Sequence, residues 1–242
     1  MFETLRYLLL QVRNTHDPMR EQEVGCFARA LRCAPEQIRV CDLINGPPNR
    51  QQLNAVDMVL LGGSGDYSVA EGGPWLERAL DAMRNLHALS KPTFASCWGF
   101  QAMAKALGGE VVTDLKRAEL GTFHLRLTEA GLDDPLFGPL GPTPLVHMGH
   151  QDIVDSLPPD AVRLALTDRV ENQAFRFEGK PIYCTQFHPE LNVQGMTERL
   201  EAYPEYIERI AGVPFDAFLE TLTETHEANT LLARFVQHVF RD

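Results

Sequence analysis

The sequence contains few cysteines, and their spacing suggests neither a metal site nor a disulfide framework. Five cysteines occur among 242 residues, and none forms a Cys-x-x-Cys pair. An odd number of cysteines without that spacing is not typical of a disulfide-bonded protein or of a zinc knuckle. We therefore expect reduced thiols, and a core-packing role for four of them: Cys26, Cys33, Cys41 and Cys184.

Positive charge is also scarce. The chain has 22 Lys and Arg residues against 33 Asp and Glu residues, which gives a net charge of -11 and a pI near 5.2. Nucleic-acid binding depends on clustered Lys and Arg that neutralise phosphates. The composition therefore excludes nucleic acid as a partner and favours an acidic enzyme.

Long apolar runs are absent as well. The N-terminal run Leu8–Leu10 is too short for a signal peptide and far too short to span a bilayer. We expect a cytoplasmic protein without a membrane partner. With 44% hydrophobic residues in 242, the chain can bury one large core, so we expect a single domain.

Short apolar runs alternate with helical patterns in the first ninety residues, which predicts βαβ units and a parallel sheet. The predicted strands are Leu5–Val12, Ile38–Leu43 and Asp57–Leu61, and the predicted helices are Met19–Leu31 and Trp75–Leu89. Pro74 is expected at the first position of the second helix. The apolar stripe of this helix should cover the sheet, and it consists of Leu76, Leu80, Met83 and Leu86.

The pattern changes after Gly108 and Gly109 to short strands of antiparallel appearance. These are Val111–Leu115, Phe123–Leu127, Leu145–Met148 and Val162–Leu166. The segment 133–144, rich in proline and glycine, is interpreted as a surface loop. Ala174–Phe177 and Ile182–Phe187 form a predicted hairpin that ends beside His188. The tail after Glu190 is patterned as helices interrupted at Pro204 and Gly212–Pro214. We expect its apolar stripe to pack on the sheet and part of the tail to border the active site.

Cys97 has the surroundings of a nucleophile elbow. It lies between an extended run that ends at Phe94 and a helical run that starts at Ala102, with the small residues Ala95 and Gly99 two positions to either side. A tight turn from strand to helix tolerates only small neighbours and exposes the reactive atom. A helix start also favours thiolate over thiol, so Cys97 is the predicted nucleophile.

A base and an orienting acid follow in the sequence Gln-Phe-His-Pro-Glu. His188 ends a predicted strand, and Glu190 lies two residues later, beyond Pro189. An imidazole can accept the thiol proton while a carboxylate fixes its tautomer. A third segment runs from an apolar strand into Gly62, Gly63 and Gly65, whose N–H groups can point at an anion. It lacks the Gly-Lys-Ser or Gly-Lys-Thr ending of a phosphate-binding P-loop.

A metal site is the alternative interpretation of His147, His150 and Asp152, because imidazole and carboxylate are common zinc ligands. On a strand, however, positions 147 and 150 point to opposite faces. We therefore predict no metal site.

These motifs together resemble the class I (triad) glutamine amidotransferases, whose elbow has the pattern small-x-Cys-x-Gly-x-Gln and whose base strand ends in Gln-Phe-His-Pro-Glu. The resemblance covers roughly residues 40 to 190 and is greatest to stand-alone members similar to the amidotransferase part of GMP synthase. The sequence departs from the family pattern at Ala95, Gly149 and Gln151. The last two bear on how the α-amino and α-carboxyl ends of the substrate are held.

The resemblance implies a fold and a division of the chain. The fold is a three-layer α/β sandwich with a mostly parallel, flavodoxin-like sheet. Residues 1–190 would form the catalytic domain, and residues 191–242 a helical extension packed on it.

The resemblance also implies a set of roles. The N–H groups of Gly63 and Trp98 would form the oxyanion hole, and Gln101 and His150 would bind substrate. The implied reaction is hydrolysis of the γ-amide of glutamine or of a γ-glutamyl compound through a thioester, without cofactor. Three roles stay open: an enzyme that supplies ammonia to a separate synthase subunit, a self-sufficient γ-glutamyl hydrolase, and a non-catalytic binding relative.

Overall fold

The computed structural model describes residues 4–241. Its first part alternates strands with helices, as the sequence predicts. These elements are β1 (Tyr7–Gln11), α1 (Met19–Leu31), β2 (Ile38–Asp42), α2 (Arg50–Asn54), β3 (Met58–Leu61), α3 (Leu76–Ala88), β4 (Thr93–Ser96) and α4 (Trp98–Ala106). The predicted helix over Met19–Leu31 is confirmed, with the same bounds.

Strands dominate the middle of the chain, and helices dominate its end. The middle elements are β5 (Glu110–Thr113), β6 (Glu119–His124), β7 (Arg126–Leu127), α5 (Glu129–Asp133), β8 (Leu145–His150), β9 (Asp152–Ser156), β10 (Ala161–Leu166), β11 (Ala174–Phe177) and β12 (Ile182–Thr185). The final elements are α6 (Val193–Ala202), a π-helical turn (Ile207–Ala211), α7 (Phe215–Leu219) and α8 (Leu231–Val239). The strand β9 was not predicted.

The central sheet is mostly parallel, which confirms the predicted fold class. Its eight strands follow the order β2-β1-β3-β4-β12-β11-β10-β7. The pairs from β2 to β12 are parallel, and the pairs from β12 to β7 are antiparallel. The strands β5 and β9, and likewise β6 and β8, form two separate two-stranded sheets.

Helices cover both faces of this sheet. Every residue of β1, β3, β4 and β12 is buried, as expected for parallel strands between two helical layers. One core cluster joins the sheet to α3 and α4, and a second joins it to α1 and α8. The predicted stripe of α3 belongs to the first cluster.

Two local predictions were wrong. Helix α3 begins at Leu76 with Trp75 as its N-cap, so Pro74 precedes the cap and does not occupy the first helical position. The segment 133–144 is not merely a surface loop, because Leu136, Phe137 and Leu140 are buried in the second core cluster. Asp134 anchors the start of this segment by accepting hydrogen bonds from the N–H groups at positions 136 and 137.

The C-terminal tail packs on the sheet, as predicted. In α8 the buried residues are Leu231, Leu232, Phe235 and Val236. The Phe235 ring meets Phe94 of β4 and Tyr183 of β12 edge to face, with centroids 5.7 and 5.8 Å apart. Helix α8 thus shares a core with the central sheet. The division into residues 1–190 and 191–242 stays a prediction. Among residues 4–241, no helix is long and apolar enough to cross a membrane.

Candidate active site

Cys97 lies in a strained turn between β4 and α4. Its φ is 51° and its ψ is -106°, a conformation that a residue with a side chain adopts only when its surroundings impose it. Its N–H donates to the Thr185 carbonyl oxygen of β12 at 2.8 Å. A Cβ atom on Gly99 would lie 2.4 Å from Leu61 Cβ, so the turn requires glycine there. The structure thus has the strand, turn and helix predicted around Cys97.

The predicted base and acid meet at the end of β12. His188 Nδ1 lies 2.7 Å from Glu190 Oε1, and both side chains are buried. The His188 N–H donates to the His147 carbonyl oxygen at 3.0 Å, which fixes the backbone. Cys97 lies beside this imidazole, because a Cβ atom on Gly63 would be 3.0 Å from His188 Cε1 and 3.6 Å from Cys97 Cβ. The structure therefore brings the three predicted triad residues into one chain of contacts.

The charges of this group favour a protonated imidazole beside an ionised carboxylate. Burial by itself lowers the pKa of His188, but Glu190 and Cys97 outweigh burial and raise that pKa to about 9. Burial raises the pKa of Glu190, but His188, followed by Arg199, outweighs it and lowers this pKa to about 2. Both shifts favour an imidazolium beside a carboxylate at neutral pH, with Cys97 as their neighbour.

One predicted oxyanion donor is engaged by another group. The Gly63 N–H donates to Glu23 Oε1 of α1 at 3.2 Å. Glu23 is fully buried and also binds Arg13, with both nitrogen–oxygen distances at 3.1 Å. Trp98, the other predicted donor, opens α4, where the first N–H groups of a helix lack intrahelical acceptors. The oxyanion role of Trp98 stays a prediction, and the Gly63 N–H is bound to a carboxylate.

A polar pocket of about 260 Å³ opens at Cys97. Its wall includes both predicted substrate-binding residues, Gln101 and His150. The side-chain N–H groups of Gln101 are occupied by the Asp152 carbonyl oxygen and Gln186 Oε1, at 3.0 and 3.1 Å. The substrate-binding roles of Gln101 and His150 stay predictions.

His150 is held on both sides of its ring. Nδ1 lies 3.1 Å from the Asp152 carbonyl oxygen, and Nε2 lies 3.2 Å from Glu119 Oε2. Both nitrogens are therefore engaged within the protein. A ligand in the pocket would meet the face or the carbon edge of the imidazole.

Residues after Glu190 complete the pocket wall, which confirms that the tail borders the site. Glu205, Tyr206 and Arg209 line the polar pocket. Arg209 donates to Gln151 at 3.0 Å, and Tyr206 donates to the Gly65 carbonyl oxygen at 3.0 Å. The unusual residue Gln151 thus contacts a side chain from the extension.

A smaller, more apolar pocket of about 60 Å³ lies on the His188 side of Cys97. Its apolar wall consists of Leu120, Leu191, Met196 and Leu200. Most of these side chains also come from the tail. The C-terminal extension therefore contributes to the walls of both pockets at the Cys97 sulfur atom.

The residues of the alternative metal site have other contacts. Asp152 accepts from Ser68 and Thr113 hydroxyls, both at 2.6 Å. His147 Nδ1 lies 3.5 Å from Thr122 Oγ1. Burial, followed by the charge of His188, lowers the pKa of His147 to about 4. Within residues 4–241, no group of three or more His, Cys, Asp or Glu residues is placed to hold a metal ion.

A strained cysteine at a strand end lies beside a buried His–Glu pair, in a chain that matches a known family. The model of the glutamine amidotransferase class-I family matches residues 27–201, and the chain belongs to this family. A glutamine-hydrolysing GMP synthase subunit from Methanothermobacter thermautotrophicus is 37% identical over 121 residues, which span 50% of this chain and 63% of that relative. The corresponding subunit from Archaeoglobus fulgidus is 34% identical over 161 residues, spanning 65% of this chain and 78% of the relative.

Solved structures share the fold over nearly the whole chain. A glutamine amidotransferase from Thermotoga maritima superposes with a TM-score of 0.77 at 23% identity, covering 98% of this chain and 99% of its own. A glutamine amidotransferase from Methylobacillus flagellatus superposes with a TM-score of 0.71 at 19% identity. The superposition covers 99% of this chain and 97% of that structure. The likeness extends beyond residue 190, so the helical tail has counterparts in folds of this type.

We predict that Cys97 is alkylated selectively. Burial raises the pKa of the Cys26, Cys33, Cys41 and Cys184 thiols, which keeps them protonated. Cys97 alone combines the helix start with an imidazolium partner. Substoichiometric iodoacetamide at mildly acidic pH, followed by peptide mapping, should place the adduct on Cys97. Preferential labelling of any of the other four would contradict the assignment of Cys97 as nucleophile.

Proposed function

We propose that this protein hydrolyses the γ-amide of glutamine or of a γ-glutamyl compound through a Cys97–His188–Glu190 triad. The observation that carries the proposal is the buried His188–Glu190 pair beside Cys97, whose sulfur adjoins a polar pocket. A nucleophile, a base and an orienting acid in contact are the required parts of this chemistry.

The reaction proceeds in two halves. The Cys97 thiolate attacks the γ-carbonyl carbon, and the protonated His188 gives its proton to the amine as the carbon–nitrogen bond breaks. The γ-glutamyl thioester remains. Water then attacks the thioester, His188 accepts a proton from it, and the sulfur departs as thiolate with release of glutamate. Glu190 holds the imidazole in both halves.

The negative oxygen formed at each attack needs donors beside Cys97. The Trp98 N–H at the start of α4 is one donor. The Gly63 N–H can be the second only after it leaves Glu23 Oε1, now 3.2 Å away. On this proposal the oxyanion hole is half formed. All these steps use side-chain and backbone groups of the chain, without a metal or organic cofactor.

Ammonia supply to a separate synthase is the second candidate role. The similarity to GMP synthase subunits favours it, and so does the engaged Gly63 N–H, because a partner that moves the glycine loop would switch the enzyme on. The tail favours an independent hydrolase, because Glu205, Tyr206 and Arg209 give the pocket a wall of its own.

The decisive experiment measures glutamate release by the purified protein from glutamine and from a panel of γ-glutamyl amides and peptides. Hydrolysis that lysate depleted of small molecules leaves unchanged identifies an independent enzyme. Activity that appears only with lysate, together with co-purification of a larger ATP-using protein, identifies an ammonia-supplying subunit. Inactivity under both conditions, with Cys97 intact, contradicts the proposed function.

A further inference from the structure

The C-terminal extension places a guanidinium group against the histidine–glutamate pair. Arg199 lies on α6 and is 8% exposed. Its Nη1 atom is 3.1 Å from His188 Nδ1 and 3.4 Å from Glu190 Oε1. Because Nδ1 carries the proton that it shares with Glu190, it cannot also accept from Arg199. The acceptor that His188 and Arg199 share is therefore Glu190 Oε1.

The other side of the same guanidinium faces α1. Arg199 Nε donates to Gln22 Oε1 at 3.2 Å, and Nη2 lies 3.8 Å from Glu23 Oε1. Nη2 is buried and has no hydrogen-bond acceptor among the residues that the structure describes. Arg199 is thus enclosed between two buried carboxylates: one orients the base, and the other holds the Gly63 N–H.

We propose that Arg199 is a positioning residue of the triad, which fixes the Glu190 carboxylate and limits how strongly that carboxylate stabilises the protonated His188. The proposal rests on the proposed function for the role of the triad. Two effects of the guanidinium act in the same direction. It competes for Oε1, and its positive charge opposes a second positive charge on the adjacent ring. Both favour release of the His188 proton, which the reaction requires when the leaving amine is protonated.

The charged groups around His188 come from several elements. Glu190 and Cys97 stabilise the imidazolium. The guanidinium of Arg199, with Nη1 3.1 Å from His188 Nδ1, is a like charge that opposes it. His147 of β8 also opposes the charge, but its own pKa of about 4 keeps it neutral near pH 7. Glu23 lies on the other side of Arg199 from His188 and forms an ion pair with Arg13. Arg199 is therefore the permanent cation in contact with the His188 ring.

The test is a titration of His188 by NMR in protein with isotope-labelled histidine, its signal assigned by its loss in His188→Gln. In Arg199→Gln we expect the titration midpoint to rise by about one pH unit, since a contacting cation and a competing donor are both removed. In Arg199→Lys, which keeps the charge, the midpoint should stay closer to that of the parent. An unchanged midpoint in Arg199→Gln overturns the proposal.

Hydrolysis provides a second readout. We expect kcat of Arg199→Gln to fall roughly ten- to hundredfold and the basic limb of its pH profile to move upward, with KM little changed. KM should change little because Arg199 lines the smaller, apolar pocket and not the polar pocket, which holds the predicted substrate-binding residues. The NMR titration needs no substrate, so it still decides on Arg199 if the parent hydrolyses none of the compounds tested. Absence of hydrolysis by the parent would count against the proposed function alone.

A matched control separates this role from general stability. Arg176→Gln breaks a similar arginine–carboxylate contact, to Asp134 at 3.1 Å, and neither residue lines the two pockets at Cys97. The control should lower the melting temperature without moving the His188 midpoint. If Arg199→Gln does not fold, Arg199→Met removes the positive charge and the donors while keeping an unbranched side chain against the apolar pocket wall. The same upward shift is expected there, and an unchanged midpoint again overturns the proposal.

Discussion

Alanine in place of Cys97 is expected to abolish glutamine hydrolysis, with kcat reduced by about 10⁶-fold. Without the sulfur atom no thioester forms, and the remaining groups can only assist a direct attack by water. The measurement is glutamate release, with circular dichroism to verify folding. The core should tolerate the change, because the Cys97 backbone is held by its own hydrogen bond to Thr185.

Cys41→Ala is the control for loss of a thiol as such. Cys41 is half-buried on β2, at the far edge of the parallel strands. This variant should retain the turnover of the parent. If Cys97→Ala kept more than about one-thousandth of the parent activity, a different nucleophile would have to act in the pocket.

The second large effect is expected at the base. His188→Ala should reduce kcat by about 10⁶-fold, because no other group accepts the thiol proton or protonates the leaving amine. Glu190→Ala should be less severe, about 10⁴-fold, because it misplaces the imidazole and removes the main stabilisation of its charge. Parallel kcat measurements on folded variants test this order.

The pH dependence of Glu190→Ala tests the direction in which Glu190 shifts the pKa of His188. Glu190 is the leading attractive influence that raises the pKa of His188 to about 9 against the opposing effect of burial. Without the carboxylate, the His188 pKa should fall, so the basic limb of the activity profile should move to lower pH. A variant as active as the parent, with an unmoved basic limb, would show that another acid orients the imidazole.

The sequence was sufficient for the parts of the site that depend on local motifs. The elbow around Cys97 and the His188–Glu190 step are each set by a few consecutive residues at the end of a strand. Neighbouring β4 and β12 then bring these strand ends together, with Ser96 paired to Thr185. A parallel sheet places both strand ends at the same edge, and the strand order of the folded sheet makes β4 and β12 neighbours. The fold class was predictable for the same reason.

The charged residues around the triad were not predictable in this way. Glu23 and Arg199 occur at positions of α1 and α6 that, in sequence, resemble the polar face of any surface helix. They are buried because the two helices pack against each other and against the glycine loop, which depends on contacts between distant parts of the chain. The engaged state of the Gly63 N–H follows from the same packing. A single sequence contains no local pattern for it.

On the proposed function, with Gly63 as the second oxyanion donor, its bond to Glu23 makes the active conformation a minor population. For the Gly63 N–H to reach a developing oxyanion, it must give up a hydrogen bond to a charged acceptor, worth about 1.5–3 kcal/mol. A cost of that size corresponds to a roughly 10- to 150-fold reduction in the fraction of competent molecules. A molecule that binds the glycine loop only when the Gly63 N–H has left Glu23 would favour the competent state. It would raise the rate by up to that factor without touching Cys97.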